Sequence, residues 1–338
     1  MAELGVITAL RKQQALVPEH GGSLIIPAGF VTPGFIATAT CLGNSREVSG
    51  LTYRDERHEG LFEAMQVPFL LTGVDGYLHA RVNQGTHYSP VQILQDANDV
   101  DRATSETNGC IRAHVDRLPG INKLCDVIGE LHDNVRAHAE GTGFSMSLCW
   151  NQYGDEDKRV IEFAVADSGQ GFLRECRRRG IEAVTDDETA IRWCLTPRNS
   201  TKDRDHDEFA QQQPEDAMGN PFGAGLETRR WHNGNHHQGL GLAHLMSLVS
   251  AYNGEMWLAS GERVLVSNTR TRNADEIGNF VAVPHWQGVI IACRLKISEL
   301  GRNIEEEPLT EDVENLLDDL LFQGTHQAAL ITGAMDYD

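Results

Sequence analysis

The chain has 338 residues, 40% hydrophobic and 23% charged, enough for two domains or one large one with real cores. Its 29 basic residues face 49 acidic ones, and the formal charge of -20 disfavours nucleic acid or an anionic membrane as a partner. No run approaches the ~18 apolar residues of a membrane helix, the N-terminus lacks a signal peptide's apolar region, and seven cysteines without a C-x-x-C pair read as reduced core thiols. A cytoplasmic protein is expected.

Residues 1–22 form a poorly patterned lead-in. Ser23-Leu-Ile-Ile-Pro27 is a short apolar run, Thr32 to Leu42 a small-residue-rich helix, and Val48 to Tyr53 a strand. Leu61, Phe62 and Met65 fall at helical spacing, and Val67 to Thr72 reads as another strand. This β/α alternation predicts a small α/β domain over residues 1–109. Its last part, 73–109, is polar and is read as an elaborated connection with one weak strand, Gly76 to Val82.

From residue 110 the pattern sharpens into a second domain, 110–300. Leu124, Val127, Ile128, Leu131 and Val135 mark one stripe of a helix, with Glu130 and Asn134 together on its flank. His138 falls within the stripe and reads as a core histidine, whereas Asp133 points off it. Phe144, Met146, Leu148 and Trp150 alternate along one strand, and Ile161, Phe163 and Val165 along the next. Later strands are Glu255 to Ser260 and Val289 to Lys296, with Phe280 to Val283 a further candidate. Strands apolar on one face predict a two-layer α/β sandwich, its mixed sheet covered by helices on one side. Leu173–Arg179 and Glu188–Leu195 read as helices, followed by a polar run to Gln238 and a helix over Leu240 to Tyr252. The His232-x-x-x-His236-His237 cluster has no cysteine nearby and reads as part of that polar run, not as a zinc site. Residues 301–338 are an acidic helix (Thr310–Phe322) and tail.

Asp167 continues the parity of Ile161, Phe163 and Val165, so its carboxylate faces the covered side of the sheet. Burying it requires donors, which an exocyclic amine and a water on an adenine edge would supply. Gly169 and Gly171 let backbone pass close to a ring. Gly239 and Gly241 open a helix whose free N–H groups suit phosphate. Glu130 can act as a general base and Asn134 as an oxygen ligand for Mg2+. No P-loop, H-E-x-x-H or G-x-S-x-G motif is present.

In their order, these pieces resemble the GHKL ATPases (gyrase, chaperone, histidine-kinase and MutL type) over roughly 120–297. Glu130-x-x-x-Asn134 with His138-Ala is similar to the N box, especially that of anti-sigma-factor serine kinases. Asp167-Ser-Gly169-Gln-Gly171 is similar to the first glycine box and Gln238-Gly239-Leu240-Gly241 to the second, with residues 172–238 as the ATP lid between them. Asn253-Gly254 to Gly261 and Gly288 to Leu295 resemble the closing strands. The resemblance implies a Bergerat-type fold with Asp167 on adenine, Asn134 on Mg2+ and ATP as ligand. It departs at Val289, where the family often has a threonine. No switch-loop lysine is identifiable, Lys202, Arg229 and Arg230 being the candidates. Residues 23–72 resemble STAS-like domains, which implies a protein partner or a homodimer through the N-terminal domain. Three functions share this pocket: ATP hydrolysis with lid closure signalling nucleotide state, serine/threonine protein kinase activity, and a non-hydrolysing binding switch.

Overall fold

A computed structural model of the chain describes residues 2–115, 119–138, 140–151, 158–196, 241–272 and 277–300. The N-terminal elements are short. They run β1 (Glu3–Leu4), α1 (Val6–Arg11), α2 (Gln13–Leu16), β2 (Ser23–Ile26), β3 (Phe30–Val31), α3 (Pro33–Ser45), β4 (Gly50–Tyr53), α4 (Arg57–Ala64) and α5 (Val67–Thr72). β1 pairs with β3 and β2 with β4, both parallel. A parallel pair needs a crossover, which α3 supplies between β2 and β4. α3 begins with Pro33 in its first turn, where a missing N–H costs nothing. Residues Pro33 to Gly43 are all buried, the mark of a helix with a neighbour on every side.

Three expectations for this region change. Val67–Thr72 is helix, not strand: Pro68 lies in its first turn, and so short an apolar run carries no period to tell the two apart. Gly76 to Val82 is not a strand. Within 73–109 lie instead β5 (Tyr88–Leu94) and the start of α6 (Ala97–His114), whose Asp96 N-cap accepts a hydrogen bond from Asp99 N at 2.9 Å.

The rest comprises α7 (Pro119–His138), β6 (Gly143–Asn151), β7 (Arg159–Asp167), α8 (Gly171–Arg178), α9 (Asp187–Leu195), α10 (Gly241–Ala251), β8 (Glu255–Ser267), β9 (Asn279–Lys296) and α11 (Ile297–Leu300). The class is α/β: a five-stranded sheet, order β5-β6-β7-β9-β8, packs against helices. All four of its pairings are antiparallel, so the sheet is not the mixed one expected. Phe280 to Val283 and Val289 to Lys296 belong to one long strand, β9.

Register decides what each face buries. Phe144 pairs with Ala166 and Met146 with Ala164, so the apolar sets of β6 and β7 lie on opposite faces. Val165 packs with Leu94, Val100, Ala103 and Val135 under α6 and α7. Phe144, Met146, Ala164, Ala166, Ile290 and Ala292 join Phe35, Ile36 and Ala39 of α3 in a larger core. Within 110–300 the helices do lie along one face, but the other face is not open. It carries the N-terminal elements, which makes three layers. No domain boundary falls at 109/110 for the same reason: β5 is a sheet strand, and Met1–Arg302 groups as one unit. Thr310–Phe322 lies outside the described residues. Among the described residues no helix is long and apolar enough to cross a membrane.

Candidate functional site

The α7 stripe forms as its spacing requires. Leu124, Val127, Ile128, Leu131 and Val135 are buried, while Glu130 and Asn134 on the flank are half-buried. Both face the start of α10. A Cβ on Gly241 would sit 2.8 Å from Glu130 Oε2 and 3.9 Å from Asn134 Nδ2, so the α10 N-terminus lies close to both side chains.

A second group gathers where β7 ends. Asp167 is 4% exposed, and its carboxyl accepts hydrogen bonds from Gly169 N at 2.8 Å and from the Val289 backbone. Burial outweighs these bonds and pushes its pKa up to about 7. Trp286 Nε1 donates to Asp167 O at 3.1 Å. Gly288, at φ +114°, lies directly against the carboxyl, and a Cβ there would come within 2.7 Å of Oδ1. Gly171, at φ +70°, starts α8 beside Ser260, whose Oγ accepts from Phe172 N at 3.1 Å. After α7, Thr142 O accepts from Ser168 N at 3.1 Å, and a Cβ on Gly141 would lie 3.0 Å from Gly169.

The two groups share one side of the sheet. Val135, next to Asn134, and Val165, two residues before Asp167, belong to one apolar cluster, and α7 packs on both α10 and β7. Glu130, Asn134 and Gly241 thus form one group and Asp167, Gly169 and Gly171 another, both where α7 packs on the sheet. Gln238, Gly239 and Leu240 lie outside the described residues, as do Lys202, Arg229, Arg230, His232, His236 and His237. Of the expected lid, α8 and α9 are described. Asp133 is half-buried and pairs with Arg136 at 3.3 Å. The side chain of His138 is outside the described set.

The donor set can be tested for fit. Two backbone N–H groups occupy part of the acceptor capacity of Asp167, and a carboxylate has room for about four hydrogens. An amine on a ring edge could therefore still be accepted. For Mg2+, Asn134 supplies a hard oxygen next to the Glu130 carboxylate, and this ion keeps several waters and takes few protein ligands. Both fits are chemically sound.

Some contributors carried no sequence signal. His132 is fully buried in α7, its Nδ1 2.8 Å from Thr104 Oγ1 and its Nε2 2.7 Å from Ser145 Oγ. Burial lowers its pKa to about 4, so it serves as a neutral bridge holding α7 to α6 and β6. Val289 acts on Asp167 through its backbone, a role its side chain does not announce. Behind the Asp167 loop, the Cys41 thiol of α3 is held well above its usual pKa, by burial first and then by Asp167, with Ser168 acting in the opposite direction.

Compared with family models, with curated proteins and with solved structures, the chain matches none.

Proposed function

We propose that this protein is a cytoplasmic GHKL-type module of Bergerat fold that binds Mg2+-ATP and hydrolyses it. The observation that supports the reading is a half-buried carboxylate and carboxamide beside the glycine that opens α10, carried by the helix α7 that also packs on β7, where a buried acid meets a glycine loop. In this reading Asp167 accepts the exocyclic amine of adenine. Gly169 and Gly171 admit the ring without a side chain in the way, and the amides at the start of α10 receive phosphate. Glu130 orients the attacking water and takes its proton. Asn134 would hold Mg2+, which when bound neutralises charge on the phosphates. Lid closure would then signal the nucleotide state to a protein partner or second subunit.

Phosphate release on wild type and Glu130→Ala, with ATP affinity measured alongside, tests the assignment. Affinity should stay within about threefold while turnover falls by roughly 10²-fold or more, the order expected for a general base. Full turnover in the variant with ATP bound normally would remove Glu130 from the chemistry. Label from ATP appearing on a partner protein, with no free phosphate, would assign the same carboxylate to a kinase. Nucleotide binding without either outcome would leave a binding switch.

A further inference from the structure

We propose that the cavity between the start of α1 and the Glu162–Arg294 pair binds a small compound carrying a primary ammonium group. It lies on the opposite face of the sheet from Asp167, and the proposal stands apart from the nucleotide reading. The cavity has a volume of about 150 Å³ and is lined by Glu3, Thr8, Thr32, Glu162, Trp257 and Arg294. A space of that size takes a body of about six heavy atoms. Glu3, with 49% of its side chain exposed, forms the solvent side.

The inner wall is built from buried polar groups. Thr32 and Glu162 are each 1% exposed and Arg294 is 7% exposed. Thr32 is the N-cap residue of α3, yet its hydroxyl makes no cap hydrogen bond, nor any other among the described residues. A Cβ on Gly5, also at the cavity wall, would lie 3.8 Å from Thr32 Oγ1, so the hydroxyl is on the side where α1 begins. A buried hydroxyl left unpaired costs stability, and a donor placed in the cavity removes that cost.

The charges select the sign of the ligand. Arg294 donates from Nε to Glu162 at 2.8 Å and from its two terminal nitrogens to Glu3 at 2.7 and 3.5 Å. Two carboxylates thus share one cation, and Glu255 is a third at 3.6 Å. An anion would meet these carboxylates before any free donor. Gly34 N takes a further position on Glu162 at 2.9 Å, but a carboxylate has about four acceptor positions, so both Glu162 and Glu3 can accept more. Burial raises the Glu162 pKa against the pull of Arg294 and Gly34, and added positive charge beside it is therefore favourable. A divalent metal is opposed by the guanidinium in the same wall, and no group of the described residues forms a metal cluster. A primary ammonium has three donors, enough for Glu162, Glu3 and Thr32. Its organic body would lie against Trp257, a ring type that favours a neighbouring cation.

The full chain would be titrated at pH 7 with n-butylamine, protonated there as a lysine amine is, and in parallel with n-butanol and with butyrate. Nuclear magnetic resonance of the five tryptophan indole N–H groups reads binding, with the Trp257 signal assigned by Trp257→Phe. The expected result is a saturable shift of the Trp257 signal by n-butylamine, at least about tenfold tighter than by either control. Glu3→Gln should weaken binding about tenfold and Thr32→Val about fivefold, each with the wild-type denaturant midpoint. Where a variant fails to fold, the charge selectivity of the wild type decides alone. Butanol binding as tightly as butylamine, butyrate binding more tightly, no saturable shift from any of the three, or wild-type affinity in both folded variants would each overturn the proposal.

Discussion

Strand β7 carries a buried carboxylate on each face, and the two are handled in opposite ways. On the N-terminal face Glu162, 1% exposed, accepts from Arg294 Nε at 2.8 Å and from Gly34 N, in the first turn of α3, at 2.9 Å. Arg294 also reaches Glu3 at 2.7 Å, and its guanidinium lies 5.3 Å from the Trp150 ring centroid and 5.1 Å from that of Trp257. On the helical face Asp167 is equally buried but, among the described residues, is held by backbone N–H groups without a cation. A paired charge locks two layers together. A charge left without its counterion costs stability, and a fold keeps such a group where a ligand uses it. Under the proposed function, the Glu162 face holds the layers together and the Asp167 face meets the nucleotide.

Breaking the paired side should have the largest effect. Arg294→Met leaves Glu162 buried without its cation, and loss of one partner from a buried pair costs about 3–5 kcal/mol. Denaturant melts should show that loss; a loss under about 1 kcal/mol would mean that the N-terminal layer is held by apolar packing alone. The unpaired side should respond in the opposite sense. The folded pKa of Asp167, about 7, lies above the unfolded value of 3.8. Its stabilising term is fully present below about pH 4 and is lost as pH rises through 7. Asp167→Asn should therefore gain stability at pH 8, by at most about 4 kcal/mol at 1.36 kcal/mol per pKa unit, and flatten the curve between pH 4 and 7. Unchanged or lower stability at pH 8 would place Asp167 in a better-solvated setting than the fold implies. The smallest effect should come from Gly288→Ala. A side chain at φ +114° that also crowds Asp167 Oδ1 should cost about 1–3 kcal/mol. A neutral result would show that β9 can retreat from the carboxyl.

The helices were the legible part of this architecture. α7 and α10 declare themselves by apolar residues at three- and four-residue spacing; the Asp186 cap of α9, whose carboxylate accepts from Thr189 N at 2.8 Å, sets its start at Asp187, one residue before the expected Glu188. Glu130, Asn134 and Asp167 followed from helix flank and strand parity. Period alone could not say which strand faces meet, because that depends on register between strands far apart in sequence. The second covered face was missed on that account, and with it the union of residues 1–109 with the rest. β5 was hidden by Pro90 and by its polar Ser89 and Gln92, and α6 by long polar stretches between Val100, Ala103, Thr107, Cys110 and Ile111. His132 and the Val289 amide left no trace, since a bridging histidine and a backbone donor have no sequence signature of their own.

The difference between the two carboxylates comes to a single test on the chemical face. ATP with Mg2+ would be titrated by calorimetry at pH 8 into wild type and into Asp167→Ala, with folding of both checked by denaturant melts. Saturable binding by wild type, weakened at least about tenfold in the folded variant, is the predicted result; a tenfold change is about 1.4 kcal/mol. Equal affinity in the two proteins, or heat indistinguishable from buffer in both, would contradict a nucleotide site at Asp167.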